Sequence, residues 1–323
     1  MINIDNLKKV ENLINESKTI AVVAHVDPDG DSIGSIMTLK EILTLKNKEV
    51  DFYINGEIPF NYKFIKDVDK GSKLINKNSY DLLFVLDSSD IDRLSGLKDL
   101  ITVSKKSICI DHHKTNKGFC DVNLIEPEFS STGEILFEIF KKLNYEINKA
   151  AAENIFISII TDTGKFIYDN ANYKTFENVG LLLRKKIDKP KIIKNLYSNE
   201  PKKIFKLKSE VFNTTEFFCQ DKVAVSNINL DMLDYYNLGY KDIDGLVERL
   251  RDIDNIEVSI LIKEINKDEY KVSMRSIGNI DVSKICSLFD GGGHKNAAGF
   301  SIKNTAFNEL KKRIIQEVVK HGI

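Results

Sequence analysis

Three short, almost wholly apolar runs punctuate the first half of the chain, and each ends on an acid or a histidine: Thr19–His25 (TIAVVAH), Tyr80–Asp87 (YDLLFVLD) and Ser107–His112 (SICIDH). A strand with one wet face alternates apolar and polar residues. A strand without alternation is covered on both faces, as in a parallel sheet flanked by helices. Helical patterns separate these runs: about Ser32 to Lys46, then Glu134–Leu143 and the broadly apolar Ala151–Thr161. The predicted fold class is α/β, a doubly wound and mainly parallel sheet.

At 323 residues the chain is long for one core. Arg184–Ser209 carries ten Lys or Arg residues, with Pro190 and Pro201 punctuating it. This reads as a solvated, partly helical connector, with a basic channel for nucleic acid as the functional alternative. Beyond Lys222 a second alternation begins. Val223–Ile228, Val258–Ile265 and Tyr270–Arg275 read as strands, the last two joined by a turn at Asn266–Asp268. Helices are predicted over Asp242–Arg251 and Phe307–Lys320. The expected domains are 1–186 for metal binding and catalysis, 187–210 as linker, and 211–323 as a smaller α+β substrate-binding domain.

Composition narrows the function. With 47 basic and 48 acidic side chains the net charge is −1, so an anionic substrate must be held locally and not by a basic coat. Cys109, Cys120, Cys219 and Cys286 form no CxxC pair, and free thiols in a reducing cytosol are expected. Met1–Lys18 is charged and amphipathic, with no secretory apolar core. No apolar run approaches the roughly 20 residues that span a bilayer. The expected location is the cytoplasm, with no membrane partner.

The chemistry concentrates at the ends of the apolar runs. His25-Val26-Asp27-Pro28-Asp29-Gly30-Asp31-Ser32 places three carboxylates and an imidazole within seven residues. A helix cap explains one aspartate but not the set. Asp87 ends the second run, Asp111-His112-His113 the third, and Asp162 closes the apolar helix within Thr161-Asp162-Thr163-Gly164. Carboxyl ends of strands in a doubly wound sheet share one edge, where ligands bind. On that edge His25, Asp29, Asp31, Asp87 and His112 converge, joined by Asp162. Ionised carboxylates gathered at about 4 Å repel pairwise by roughly 1–4 kcal/mol. One shared proton relieves a dyad, whereas divalent cations relieve all four acids. Mixed imidazole and carboxylate donors favour Mn²⁺ or another transition metal over Mg²⁺.

A second motif, Asp290-Gly291-Gly292-Gly293-His294-Lys295-Asn296-Ala297-Ala298-Gly299, lies near the C-terminus. Successive glycines let backbone N–H groups approach an anion, and His294 and Arg275 supply charge. The alternative is a plain glycine turn. No GxxxxGK(S/T) run occurs, so this is not a P-loop.

With these motifs in order along almost the whole chain, the sequence resembles the DHH phosphoesterase superfamily, whose name corresponds to Asp111-His112-His113. Asp87-Ser88-Ser89-Asp90 and Thr161-Asp162-Thr163-Gly164 match further motifs, and Gly291-Gly292-Gly293-His294 matches its GGGH-type C-terminal domain. Length and ending are similar to the bifunctional oligoribonuclease and pAp phosphatase (nanoRNase) subgroup. RecJ-type exonucleases are larger, and family II pyrophosphatases end differently. The resemblance implies two divalent cations, Mn²⁺ first, with Mg²⁺ or Co²⁺ as alternatives. One would be held by His25 and Asp29, the other by Asp31, His112 and Asp162, with Asp87 bridging. It further implies His113 at the scissile phosphate, Asp111 orienting neighbouring histidines, and Arg275, Gly292, Gly293 and His294 gripping the rest of the substrate. The implied reaction cuts short oligonucleotides to mononucleotides or removes the 3′-phosphate of pAp. Cyclic di-AMP or pApA hydrolysis is the alternative within enzymes, and a non-catalytic nucleotide-binding regulator the alternative outside them. Implied partners are short RNA or DNA and these small nucleotides. A homodimer is compatible with the resemblance.

Overall fold

The protein is described as a computed structural model covering residues 2–240, 243 and 245–322. It divides into two compact units, one up to Asn199 and one from Glu200 onward.

The first unit runs α1 (Ile4–Glu16), β1 (Thr19–Ala24), α2 (Gly30–Leu45), β2 (Glu49–Tyr53), β3 (Leu82–Leu86), β4 (Ser107–Asp111), β5 (Val122–Ile125), α3 (Thr132–Lys142), α4 (Lys149–Asp162), α5 (Tyr173–Arg184) and α6 (Lys189–Tyr197). The five strands are parallel in the order β2-β1-β3-β4-β5. The chain leaves β1 for β2 on one side and returns to β3 on the other, so the winding reverses between β1 and β3. A crevice opens at the carboxyl ends of strands at such a point.

Why the strands lack alternation is visible in their two cores. Ile20, Val22 and Ala24 of β1 and Leu82, Phe84 and Leu86 of β3 join the large core with α1 to α4. The intervening Ala21, Val23, Leu83 and Val85 join a second core with Tyr53, Tyr80, Leu94, Leu97 and Leu100. That second face is closed by a 3₁₀ segment over Ile91–Leu100. The two strands not predicted, β2 and β5, are the edges. They are only five and four residues long and carry polar residues that break an apolar run.

Helix α2 starts where Asp29 caps it: its side chain accepts from the Ser32 N–H, and the Ser32 hydroxyl accepts from the Asp29 N–H. The helix then runs against α4 at backbone distance. A Cβ on Gly30 would lie 2.3 Å from Thr161 Oγ1, and one on Gly34 would lie 2.7 Å from the Asn154 carbonyl oxygen.

The second unit runs α7 (Lys202–Asn213), β6 (Glu216–Phe218), β7 (Val223–Ile228), α8 (Leu230–Tyr236), α9 (Leu246–Arg251), β8 (Val258–Asn266), β9 (Glu269–Ser276), α10 (Val282–Ser287), β10 (Gly292–His294), β11 (Ala297–Lys303) and α11 (Phe307–Lys320). Its mixed sheet has the order β10-β11-β9-β8-β7-β6, with only β7 and β8 parallel. Ile260, Val272 and Met274 face α10 and α11, while Ile228 and Leu261 face α7 and α9. This is the expected α+β arrangement. Asp242, where a helix was expected to start, lies outside the described residues, and α9 begins at Leu246 after Gly245.

Residues 187–210 are largely helical and divided between the units. In α6, Ile192 and Leu196 enter the core of the first; in α7, Ile204, Leu207 and Val211 enter the second. Their lysines occupy the outer faces of these amphipathic helices. Among the described residues no helix is long and apolar enough to cross a membrane.

Candidate metal centre

The reversal point between β1 and β3 gathers the residues singled out by sequence. His25 follows β1, Asp87 follows β3, and Asp111 ends β4. Asp29 and Asp31 stand at the start of α2, and Asp162 ends α4. The close α2–α4 contact is what brings Asp31 and Asp162 to the same place.

Three overlapping groups of three donors result: Asp87 with His112 and His113, and two that divide the acids between them. In one, His25 Nε2 lies 3.7 Å from Asp29 Oδ2 and 3.4 Å from Asp87 Oδ2. In the other, His112 Nε2 lies 3.7 Å from Asp31 Oδ2 and 3.5 Å from Asp162 Oδ2. Within each group the donor atoms lie within 4.8 Å of one another. Asp87 joins them, because its other oxygen, Oδ1, is 3.8 Å from His112 Nε2. Asp87 takes a left-handed backbone conformation (φ 51°), costly for a residue with a Cβ, and its N–H still bonds the Ile110 carbonyl at 3.0 Å. Asp27, excluded from the expected donor set, is absent from all three groups.

Each side chain is oriented by a neighbour. His25 Nδ1 donates to the Val26 carbonyl at 2.7 Å, which turns Nε2 toward the acids. Asp31 is almost completely buried and accepts from Ser35 and Ser158 hydroxyls and from the N–H groups of Thr132 and Gly133. The last two are the first turn of α3, so Asp31 sits on a helix N-terminus, where negative charge is favoured. Buried Asp111 accepts from the His112 and His113 N–H groups, from His113 Nδ1 at 2.7 Å and from Asn116 Nδ2 at 2.7 Å.

Without cations the cluster holds protons instead. Burial, with the charges of Asp31, Asp87 and Asp29, pushes Asp162 up to about 9. Burial and the Asp31 charge push Asp87 up to about 6. For His25, burial opposes the imidazolium, but flanking Asp29 and Asp87 win and raise it to about 10. Asp29 mirrors this: desolvation pushes its carboxyl up, and His25 overrides that to hold it at about 2. Hydrogen bonding to Asp111 raises His113 to about 9. A cluster whose buried carboxyls favour the protonated form is short of positive charge, and its imidazole and carboxylate donors fit divalent transition-metal ions.

The glycine motif of the second unit forms a hairpin, with β10 pairing β11. A Cβ on Gly293, which sits at φ 145°, would meet the Ala297 carbonyl oxygen at 2.5 Å, whereas one on Gly292 would meet nothing. His294 is exposed beside Gly292. Ala297 pairs with both His294 and Arg275, so all three share one row of the sheet. Arg275 is committed to Glu248 of α9, donating from Nε at 3.0 Å, and it is only partly exposed.

Sequence reasoning missed Asn116, which ties Asp111 to the Ser88 carbonyl (3.0 Å), and the α3 N-terminus that receives Asp31. It also missed Glu134, fully buried and satisfied by the Ser130 N–H and hydroxyl, Thr175 and Asn178. Ser131 and Glu134 stand at capping-box spacing, a signal that marks the start of α3.

Comparison with known proteins finds a family match in each of the two units. The model of the DHH family, N-terminal domain, matches residues 19–159, and that of the DHHA1 domain matches residues 220–320. The chain carries a DHH family N-terminal domain and a DHHA1 domain. It is therefore a phosphoester hydrolase. It is 27% identical over 300 residues to the bifunctional oligoribonuclease and PAP phosphatase NrnA of Thermus thermophilus, covering 93% of this chain and 89% of that protein. The protein of the same name from Bacillus subtilis is 26% identical, with 88% and 89% covered. An exopolyphosphatase-related protein of Bacteroides fragilis superposes with a TM-score of 0.91 at 25% identity, covering 99% of this chain and 97% of that one.

Proposed function

We propose that this DHH protein hydrolyses short oligoribonucleotides to mononucleotides and removes the 3′-phosphate of pAp, using two divalent cations, Mn²⁺ first among them. The observation that carries the reading is Asp87, whose two oxygens face two separate donor groups 3.4 and 3.8 Å away. In this reading His25, Asp29 and Asp87 hold one ion, and Asp31, His112, Asp162 and Asp87 hold the other. Bound there, such ions supply Lewis-acid charge and bring the pKa of a water to roughly 7. The identity between this chain and the two NrnA proteins, spread over most of each, supports the substrate class.

The protein's own groups do the rest. His113 Nδ1–H is engaged by Asp111, so its Nε2 points elsewhere, and that hydrogen bond raises the ring's affinity for a proton. It is placed to stabilise charge on a phosphoryl oxygen and to hand a proton to the leaving oxygen. Asp111 and Asn116 fix its orientation. In the second unit, Gly292, Gly293, His294 and Arg275 hold a further phosphate or the nucleoside.

The test is an activity panel on the full chain with Mn²⁺ or Mg²⁺ against pAp, a five-nucleotide RNA, pApA and cyclic di-AMP. Wild type should turn over pAp and the RNA, and Asp87→Ala should lose at least a thousandfold. Full Mn²⁺-dependent turnover by Asp87→Ala would refute the assignment. Preference for cyclic di-AMP over both expected substrates would replace the substrate, not the site.

A further inference from the structure

The segment after Asp162 is built with more order than a connection between two helices requires. Gly164, Lys165 and Phe166 all take positive φ (54°, 64° and 67°), a strained run for two residues with side chains. It is nevertheless pinned at every step. The Gly164 N–H bonds the Thr161 carbonyl, Lys165 that of Ile160, Phe166 the Thr163 hydroxyl, and Ile167 and Tyr168 the Thr163 carbonyl. Asn170 Nδ2 ties the loop back to the carbonyl of Asp162 itself (3.2 Å) and to that of Ser130 (3.0 Å).

What this rigid loop displays is aromatic. The Tyr168 ring lies over Gly164, where an added methyl group would stand 2.5 Å from its Cζ. Yet 51% of Tyr168 remains exposed. Gly164 is two residues from Asp162, so its Cα is at most about 7.6 Å from that of Asp162. The loop that carries this exposed phenol therefore leaves directly from a residue of the donor cluster. Lys165, also exposed, holds its ammonium 4.4 Å from the Tyr197 ring centroid, beside the same loop.

An exposed aromatic ring and a cation carried on one loop are the elements that bind single-stranded nucleic acid without sequence preference: a ring stacks a base and an ammonium follows the backbone. We propose that Tyr168 forms a nucleobase-stacking subsite on the first unit, receiving the base adjacent to the scissile phosphate, with Lys165 contacting the neighbouring phosphate. This rests on the proposed hydrolysis of short oligonucleotides and adds to it a specificity-determining residue outside the glycine motif. The missing side chain of Gly164 gains a purpose: any Cβ there would lift the ring off the loop.

The test compares pApA with an analogue whose sugar next to the scissile phosphate is abasic, for wild type, Tyr168→Ala and Tyr168→Phe in Mn²⁺. Tyr168→Ala should raise KM for pApA about five-fold to a hundred-fold, as one lost stacked base does, with kcat within about twofold. Its KM for the abasic analogue should be unchanged, and Tyr168→Phe should restore wild-type behaviour. Equal losses on both substrates, or no change on pApA, would overturn the subsite. So would a shift of Tyr168→Ala to a smaller species in sedimentation, since that would make the exposed Ile167, Tyr168, Tyr173 and Phe176 a protein contact. Equilibrium dialysis of both ligands reads the same discrimination without turnover. Wild type that binds pApA over the abasic analogue but cleaves neither would sink the proposed reaction and leave the subsite standing.

Discussion

Replacing a candidate ligand by its neutral isostere should make the metal-free protein more stable, and Asp162→Asn is where the effect should be largest. Burial and three neighbouring aspartates raise Asp162 from an ordinary 3.8 to about 9. Between these values the folded state keeps a proton that the unfolded chain releases. Stability from this group is therefore fully present below about pH 4 and drains away as pH rises toward 9. At pH 7.5 the interval is 3.7 units above 3.8, a ceiling of about 5 kcal/mol at 1.36 kcal/mol per unit. The His113 charge opposes the three acids and a metal-free site relaxes, so about 2–3 kcal/mol is expected. Asparagine carries no charge to neutralise. In EDTA at pH 7.5, Asp162→Asn should melt about 5–10 °C above wild type, given roughly 2–4 °C per kcal/mol for a unit of this size. The gap should shrink toward pH 5. His25, raised to about 10, and Asp87, raised to about 6, carry the same sign, so wild type should also lose stability with rising pH. Added Mn²⁺ should reverse the ranking, because cations replace the retained protons and wild type alone keeps the full donor set. Scanning fluorimetry across pH with and without Mn²⁺ reads all of this. Equal melting of the two proteins in EDTA at pH 7.5, or equal Mn²⁺ gains, would refute the electrostatic account.

Two further perturbations test how the centre is positioned. Gly34→Ala places a methyl group 2.7 Å from the Asn154 carbonyl and should push α2 off α4, costing about 1–3 kcal/mol of stability. It should also weaken Mn²⁺ binding, read by calorimetry, with every ligand intact; unchanged affinity would show that the helix contact does not set the Asp31–Asp162 spacing. Asp111→Asn removes the charge that raises His113, so the alkaline limb of the kcat profile should move down from about 9 toward the ordinary histidine range of about 6.5. A loss of kcat with no shift of that limb would reduce Asp111 to a structural role.

The strands that carry the donors were legible because burial on both faces leaves no room for polar residues: β1, β3 and β4 appear as apolar runs closed by His25, Asp87 and Asp111. The edges β2 and β5 were not, since an edge strand half in solvent has a composition like that of a loop. Convergence was legible at the level of topology, because strand ends share one edge whatever the details. What stayed hidden is tertiary in origin. The N–H groups of Thr132 and Gly133 become partners of Asp31 from a hundred residues away, and no local pattern announces that. Arg275 was legible as a cation near the glycine motif, but not its commitment to Glu248, which depends on where α9 packs.

The two donor groups are not electrostatically equivalent, and the difference follows from how each acid is held. Asp31 has its negative charge compensated inside the fold by four neutral donors, two of them at a helix N-terminus, so it is committed whether or not a cation is present. No hydrogen bond engages the Asp162 carboxyl among the described residues, and of the carboxyls in the cluster it is the one most strongly driven to protonate. His25 and Asp29 already neutralise each other across 3.7 Å. Loading either group must therefore displace a bound proton, from the His25 imidazolium in one and from the Asp162 carboxyl in the other. The His112 group also offers the fixed anion, Asp31, as a ready partner. A first divalent cation should thus enter the Asp31–His112–Asp162 group, and its charge on the shared Asp87 then sets the terms for the second.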